Sequence, residues 1–98
     1  MDEIFKALSD INRRKIITIL RNKSLGVNEL LKYFKIKQAT LSNHLAILKK
    51  AKLVNSEVKG KNRIYNLNYP VLREFVIKIN NFMESGDIAE IKVREIRK

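Results

Sequence analysis

The sequence predicts a mainly α-helical domain with one β-hairpin, its elements following in the order α-α-α-α-β-β-α. Three observations carry this prediction. Apolar residues recur at helical spacing from Ile4 to Leu48, and the segment LVNSEVKGKNRIYNLNY alternates around Gly60-Lys61-Asn62. Pro70 then opens a last run in which Leu72, Phe75, Val76, Ile79, Phe82 and Met83 return every three or four residues.

Residues 3–8, EIFKAL, make a short amphipathic helix with Ile4, Phe5 and Leu8 on one side. Ser9 and Asp10 can cap the next helix, because their side-chain oxygens accept from its first free backbone N–H groups. That second helix, 11–22, turns Ile16, Ile17, Ile19 and Leu20 inward and Arg13, Arg14, Lys15 and Arg21 outward. Gly26 is the turn residue that follows. A third helix, 27–34, adds Val27, Leu30, Leu31 and Phe34 to the core, and Lys35-Ile36-Lys37 leads into a fourth, QATLSNHLAILKK. Two short helices joined by a tight turn form a helix-turn-helix, whose second helix is the one that enters a DNA groove. A hairpin placed after that helix is a wing, so the fold class is a winged helix-turn-helix. The last helix carries a nearly pure apolar seam of the type used in helix pairing, and Ser85-Gly86-Asp87 ends it. Residues 1–86 are thus one domain and 87–98 a charged tail, for which a helix, an added strand and a frayed end all stay open.

Ninety-eight residues suffice for one modest core, which puts function on the surface or at an interface between copies. With 45% apolar and 32% charged residues the chain has the composition of a folded protein. The longest apolar runs, such as LAIL at 45–48, fall far short of the roughly 20 residues that span a bilayer, and MDEIF is no signal peptide. A cytoplasmic protein without membrane insertion is the expectation. The absence of cysteine excludes disulfides and thiolate metal sites together. Net charge is +11, and its placement is uneven: residues 32–63 hold nine Lys or Arg against a single acid, Glu57. A solvated face normally mixes signs. A one-signed stretch suits a polyanion, and nucleic acid is the commonest.

The fourth helix refines that reading. Opposite Leu41, Leu45 and Leu48, its far side centres on Asn43, with Ala39 and Ala46 beside it and Gln38 and Ser42 at the edge. Small residues allow close approach to base edges, while Gln and Asn offer the donor and acceptor pair that fits adenine. Gln38, Ala39, Ser42 and Asn43 are the base-reading candidates. Lys37, Lys49, Lys50, Lys59, Lys61 and Arg63, at the helix ends and wing tip, are the phosphate candidates, with Lys35 in reserve and Arg13 or Arg14 less securely. Ile47 lies off the core arc, where the hairpin is expected to cover it. His44, the sole histidine, reads as a packing or phosphate-touching shoulder residue, and Tyr65 and Tyr69 as rings packed under the wing.

Three spaced motifs occur here in a familiar order. Ala7-Leu8-Ser9-Asp10 with Arg13, then Ser42 and His44-Leu45 through Leu48, Ala51, Leu53 and Val54, then Gly60 with Arg63, Tyr65 and Leu67, resemble the ArsR-type winged-helix repressors over residues 4–83. Ile11 replaces the family's usual proline. The family's Cys-Val-Cys metal motif corresponds to Gly26-Val27-Asn28, and residues 71–84 hold neither His nor Asp for the second family metal site. The resemblance is therefore to the metal-site-free, SdpR-like branch, with no cofactor expected. It implies a homodimeric repressor of a pseudo-palindromic duplex site, paired through Ile4, Phe5 and Leu8 with Leu72, Phe75, Val76, Ile79, Phe82 and Met83. The inducing signal is then a partner protein or the repressor's own level. The rival class is a protein-interaction module whose basic face docks on an acidic partner. No catalytic set is visible.

Overall fold

A computed structural model describes residues 1–84. The domain boundary drawn at 86, the stop at Ser85-Gly86-Asp87 and the tail 87–98 lie outside the described residues. The elements run α1 (Asp2–Leu8), α2 (Ile11–Leu20), β1 (Leu25–Gly26), α3 (Val27–Leu31), α4 (Gln38–Lys50), β2 (Val54–Lys59), β3 (Asn62–Leu67) and α5 (Tyr69–Glu84).

Side-chain caps fix the start of this order. Asp10 is the N-cap of α2, its carboxylate accepting from the backbone N–H of Asn12 at 2.7 Å and of Arg13 at 3.3 Å. Partial burial works against the Asp10 charge, but those two N–H groups, with His44 and Arg13 nearby, hold its carboxyl below the usual carboxylate value. The arginines expected to point outward instead fold back. Arg13 donates from Nε to the Ala7 carbonyl at 2.6 Å and from Nη2 to the Lys6 carbonyl at 3.1 Å, while Arg14 Nη1 donates to the Leu8 carbonyl at 2.8 Å. The reason is that the last carbonyls of a short helix have no partner within it, and the guanidinium fork satisfies several at once.

Two further elements depart from the sequence expectation. Gly26 lies in a short strand, not a simple turn: Leu25 pairs with Tyr65 and Gly26 with Ile64, giving a three-stranded antiparallel sheet of order β1-β3-β2. Helix α3 stops at Leu31 instead of 34, because the N–H groups of Lys32, Tyr33 and Phe34 bond three residues back in tight turns, and Lys15 takes the Tyr33 carbonyl at 2.7 Å.

The passage from α4 into the wing is abrupt. Lys52 has φ +64°, and the N–H groups of Lys52 and Leu53 return to the carbonyls of Lys49 and Leu48 at 2.9 and 3.0 Å. This paired closure normally uses glycine at the left-handed position. Leu53 directly follows and is fully buried, so the turn delivers the chain into the core and then into β2. At the wing tip Gly60 supplies the positive φ, also +64°, that a two-residue turn requires.

The core gathers Ala7, Ile16, Leu20, Leu30, Leu41, Leu45, Leu48, Leu53 and Val54 from α1 to β2, and Leu67 closes it from β3. Each of the Ile, Leu and Val side chains contributes about 1.5–3 kcal/mol by leaving water. Helix α5 is different. None of its residues is buried; only Val71 and Leu72 lean on the core from its first turn.

Candidate nucleic-acid interface

Helix α4 is anchored from beneath and open above. Leu41, Leu45 and Leu48 are fully buried, whereas Gln38, Ala39, Ser42 and Asn43 are all exposed, Ala39 and Asn43 on the opposite side and Gln38 and Ser42 toward its edge. This is a rigid rod with an uncharged, short-chained outer face, and its depth in the fold is set by three leucines. Ile47 is 39% exposed and not covered by the hairpin. It stands beside Glu3, Lys6, Arg13 and Lys50, because the wing leaves α4 beyond its end while α1 flanks this side.

The cations ring that face unevenly. Lys37 occupies the N-cap position of α4 and is exposed, as is Lys35 in the preceding turn. Lys61 sits at the wing tip beside Gly60, and a cleft lined by Gly26, Asn28, Gln38, Lys61 and Arg63 joins the start of α4 to the wing. Lys49 and Arg63 meet on one atom: both donate to Ser56 Oγ, at 2.9 and 3.0 Å. Lys59 lies 3.6 Å from Glu57 across solvent-exposed side chains. Lys50 does not join the wing; it leans toward α1, 4.0 Å from Glu3, a surface pair worth little.

Other predicted residues take structural work. The Arg13 Nη1 donates to His44 Nδ1 at 3.3 Å, which ties α2 to α4 and uses His44 as a packing residue. Tyr65 is half-buried against the core under the wing. Tyr69 is not under the wing: its hydroxyl donates to the Arg21 carbonyl at 3.2 Å, closing the end of α2 from the start of α5. Sequence reasoning missed Ser56 altogether, since a lone serine in an alternating strand carries no signal that two cations will converge on it.

A second surface lies on α1 and α5. The rings of Phe5 and Phe75 stack edge to face with centroids 5.3 Å apart. Ile4, Leu8, Leu72, Phe75 and Ile79 are half-buried, while Phe5, Val76, Phe82 and Met83 are 50–59% exposed. Among the described residues, no helix is long and apolar enough to cross a membrane, and no three His, Cys, Asp or Glu side chains cluster to hold a metal.

Comparison with known proteins agrees with this geometry. The family described as bacterial regulatory protein, arsR family, matches residues 10–56. The chain is 36% identical over 87 residues to the transcriptional repressor SdpR of Bacillus subtilis (strain 168), covering 89% of this chain and 97% of that protein. It is 32% identical over 80 residues to the arsenical resistance operon repressor of Staphylococcus aureus, covering 82% of this chain and 77% of the relative. In fold it superposes on an ArsR-like transcriptional regulator from Rhodococcus sp. RHA1 with a TM-score of 0.84 at 22% identity, over 98% of this chain and 88% of that one.

Proposed function

This chain belongs to the arsR family of bacterial regulatory proteins, and from that premise we propose that it is a DNA-binding transcriptional repressor that acts as a homodimer on a pseudo-palindromic duplex operator. Residues 1–86 work as one DNA-binding and dimerisation domain. The observation that carries the reading is the outer face of α4: four exposed, uncharged, short side chains, Gln38, Ala39, Ser42 and Asn43, raised on a buried leucine row and bordered by cations. Base edges in a major groove suit that combination, because Gln and Asn carry the donor and acceptor pair that fits adenine and the small residues let the helix approach closely.

In this reading α4 lies in the groove and Gln38, Ala39, Ser42 and Asn43 read bases. Lys37, Lys49, Lys50, Lys59, Lys61 and Arg63 neutralise flanking phosphates. Two copies pair through Ile4, Phe5, Leu8, Leu72, Phe75, Val76, Ile79, Phe82 and Met83, setting the two α4 helices about 34 Å apart, one turn of duplex. Occupancy of a promoter then blocks transcription. The repressor is not metal-responsive, a reading supported by Gly26 and Asn28 at the positions of the family's metal-binding cysteines and by a chain with no cysteine.

Selection of the purified protein against random duplex DNA tests this. Enrichment of an inverted repeat with half-sites one turn apart is the expected result. If about eight phosphates are contacted per dimer, log K falls against log salt with a slope near −7, or about −0.9 per phosphate. Enrichment of no sequence, with weak salt-sensitive binding to every duplex, would sink the repressor reading and favour docking on an acidic protein.

A further inference from the structure

At Ser56 the recognition helix and the wing are joined by side-chain hydrogen bonds from two cations. Lys49, in the last turn of α4, donates to its Oγ at 2.9 Å, and Arg63 of β3 donates to the same oxygen at 3.0 Å. The strand register explains how Arg63 arrives. Ser56 stands opposite Tyr65 in the β2–β3 ladder, and Arg63 is the diagonal neighbour on the same face. Glu57, the nearest acid in sequence, alternates to the other face and lies against Lys59.

A serine hydroxyl has two acceptor lone pairs and one O–H. With both lone pairs taken by cations, the O–H is left as a donor. Three donors, two of them charged, therefore converge where the α4 end meets the wing, and the two cations are held closer than their mutual repulsion favours in water. An anion placed against them relieves that repulsion and accepts from all three.

We infer that Lys49, Ser56 and Arg63 form one clamp for a single DNA phosphate, with Ser56 as the positioning residue that makes two cations from different elements act on the same group. This rests on the DNA-binding reading above. Its consequence is countable. Two cations on separate phosphates each release a counterion, but two on one phosphate release one between them.

The test measures affinity for the selected duplex against salt in the wild-type protein and in Lys49→Ala, Arg63→Ala, the double variant, Ser56→Ala and Ser56→Thr, with thermal midpoints recorded alongside. Each single cation variant is expected to leave the slope nearly unchanged, and the double variant to flatten it by about 0.9 per protomer instead of about 1.8. Ser56→Ala is expected to weaken binding about three- to tenfold with the midpoint unaltered, and Ser56→Thr, which keeps the hydroxyl, to restore it. Slopes that drop by about 0.9 for each cation removed, or a Ser56→Ala protein that binds like wild type, overturn the clamp while leaving the repressor reading intact. A wild-type protein that binds no duplex overturns both.

Discussion

The α4–wing half and the α1–α5 half of this protein treat their apolar residues in opposite ways. In α4, Leu41, Leu45 and Leu48 are wholly inside, and what remains outside is mostly small, polar or cationic, with Ile47 at 39% exposure the large apolar exception. In α5 no residue is buried, and Val76, Ile77, Phe82 and Met83 are each at least half exposed. One half has completed its core and offers hydrogen-bond donors, acceptors and positive charge. The other offers hydrocarbon. The contrast teaches that the two surfaces suit different partners: the first a polyanion, the second another apolar surface, for which an identical copy is the simplest source.

The strongest way to break the comparison is to charge the α5 seam. Val76→Glu with Met83→Glu alters side chains that are 55% and 59% exposed, so folding is expected to survive while the pair of copies separates. Sedimentation should then report a monomer. Affinity for the two-half-site duplex should fall by about 10²–10⁴, the gain that linking two binding events provides. A double variant that stays dimeric would remove the seam from the interface.

The opposite change belongs in α4. Leu45→Ala deletes a fully buried side chain and should cost about 2–5 kcal/mol of stability in chemical denaturation. The same truncation at Val76 should cost far less, and equal costs would erase the distinction between the two halves. Lys52→Gly sharpens the picture from the other direction. A lysine at φ +64° is strained where glycine is not, so the variant should gain up to about 1 kcal/mol without touching DNA affinity.

The smallest effect lies at Asp10. Its carboxyl is held below the ordinary value in the folded protein, chiefly by the N–H groups of Arg13 and Asn12 acting against partial burial. A depressed folded pKa gives stability that is present above the unfolded value and is lost as pH falls through the folded one. Thermal midpoints followed from about pH 7 to about pH 2 should therefore fall less steeply in Asp10→Asn, which keeps a capping oxygen but cannot titrate. Identical acid limbs would remove Asp10 from the acid response.

Most of this architecture was legible in the sequence because period and punctuation agreed. The leucine row of α4, the alternation around Gly60 and the cap at Asp10 each state one structure. What was illegible had no period to read. Strand β1 is only Leu25–Gly26 and becomes a strand by meeting Tyr65 and Ile64 some forty residues away. Arg13, three and four residues before Ile16 and Ile17, shares the inward face of α2 in a helical projection, and Arg14 lies off it, yet both reach back to α1 carbonyls, since a long side chain's terminus is set by unsatisfied acceptors near it. Tyr69 and Ile47 escaped for the same reason: their neighbours come from α2 and α1, which no local window contains. The outer face of α4 could be named from the sequence alone. The junction of Lys49 and Arg63 on Ser56 required the fold.

The central claim is that the exposed face of α4 reads sequence while the wing tip only anchors. Repeating the duplex selection with Asn43→Ala and with Lys61→Ala tests it most directly. Asn43→Ala should lose about 1–3 kcal/mol of discrimination at one base pair in each half-site and leave the other positions as they were. Lys61→Ala should keep the selected sequence, weaken all duplexes alike and flatten the salt slope by about 0.9 per protomer. Two variants that change sequence preference in the same way, or an Asn43→Ala protein whose selected site is unchanged, would contradict the account.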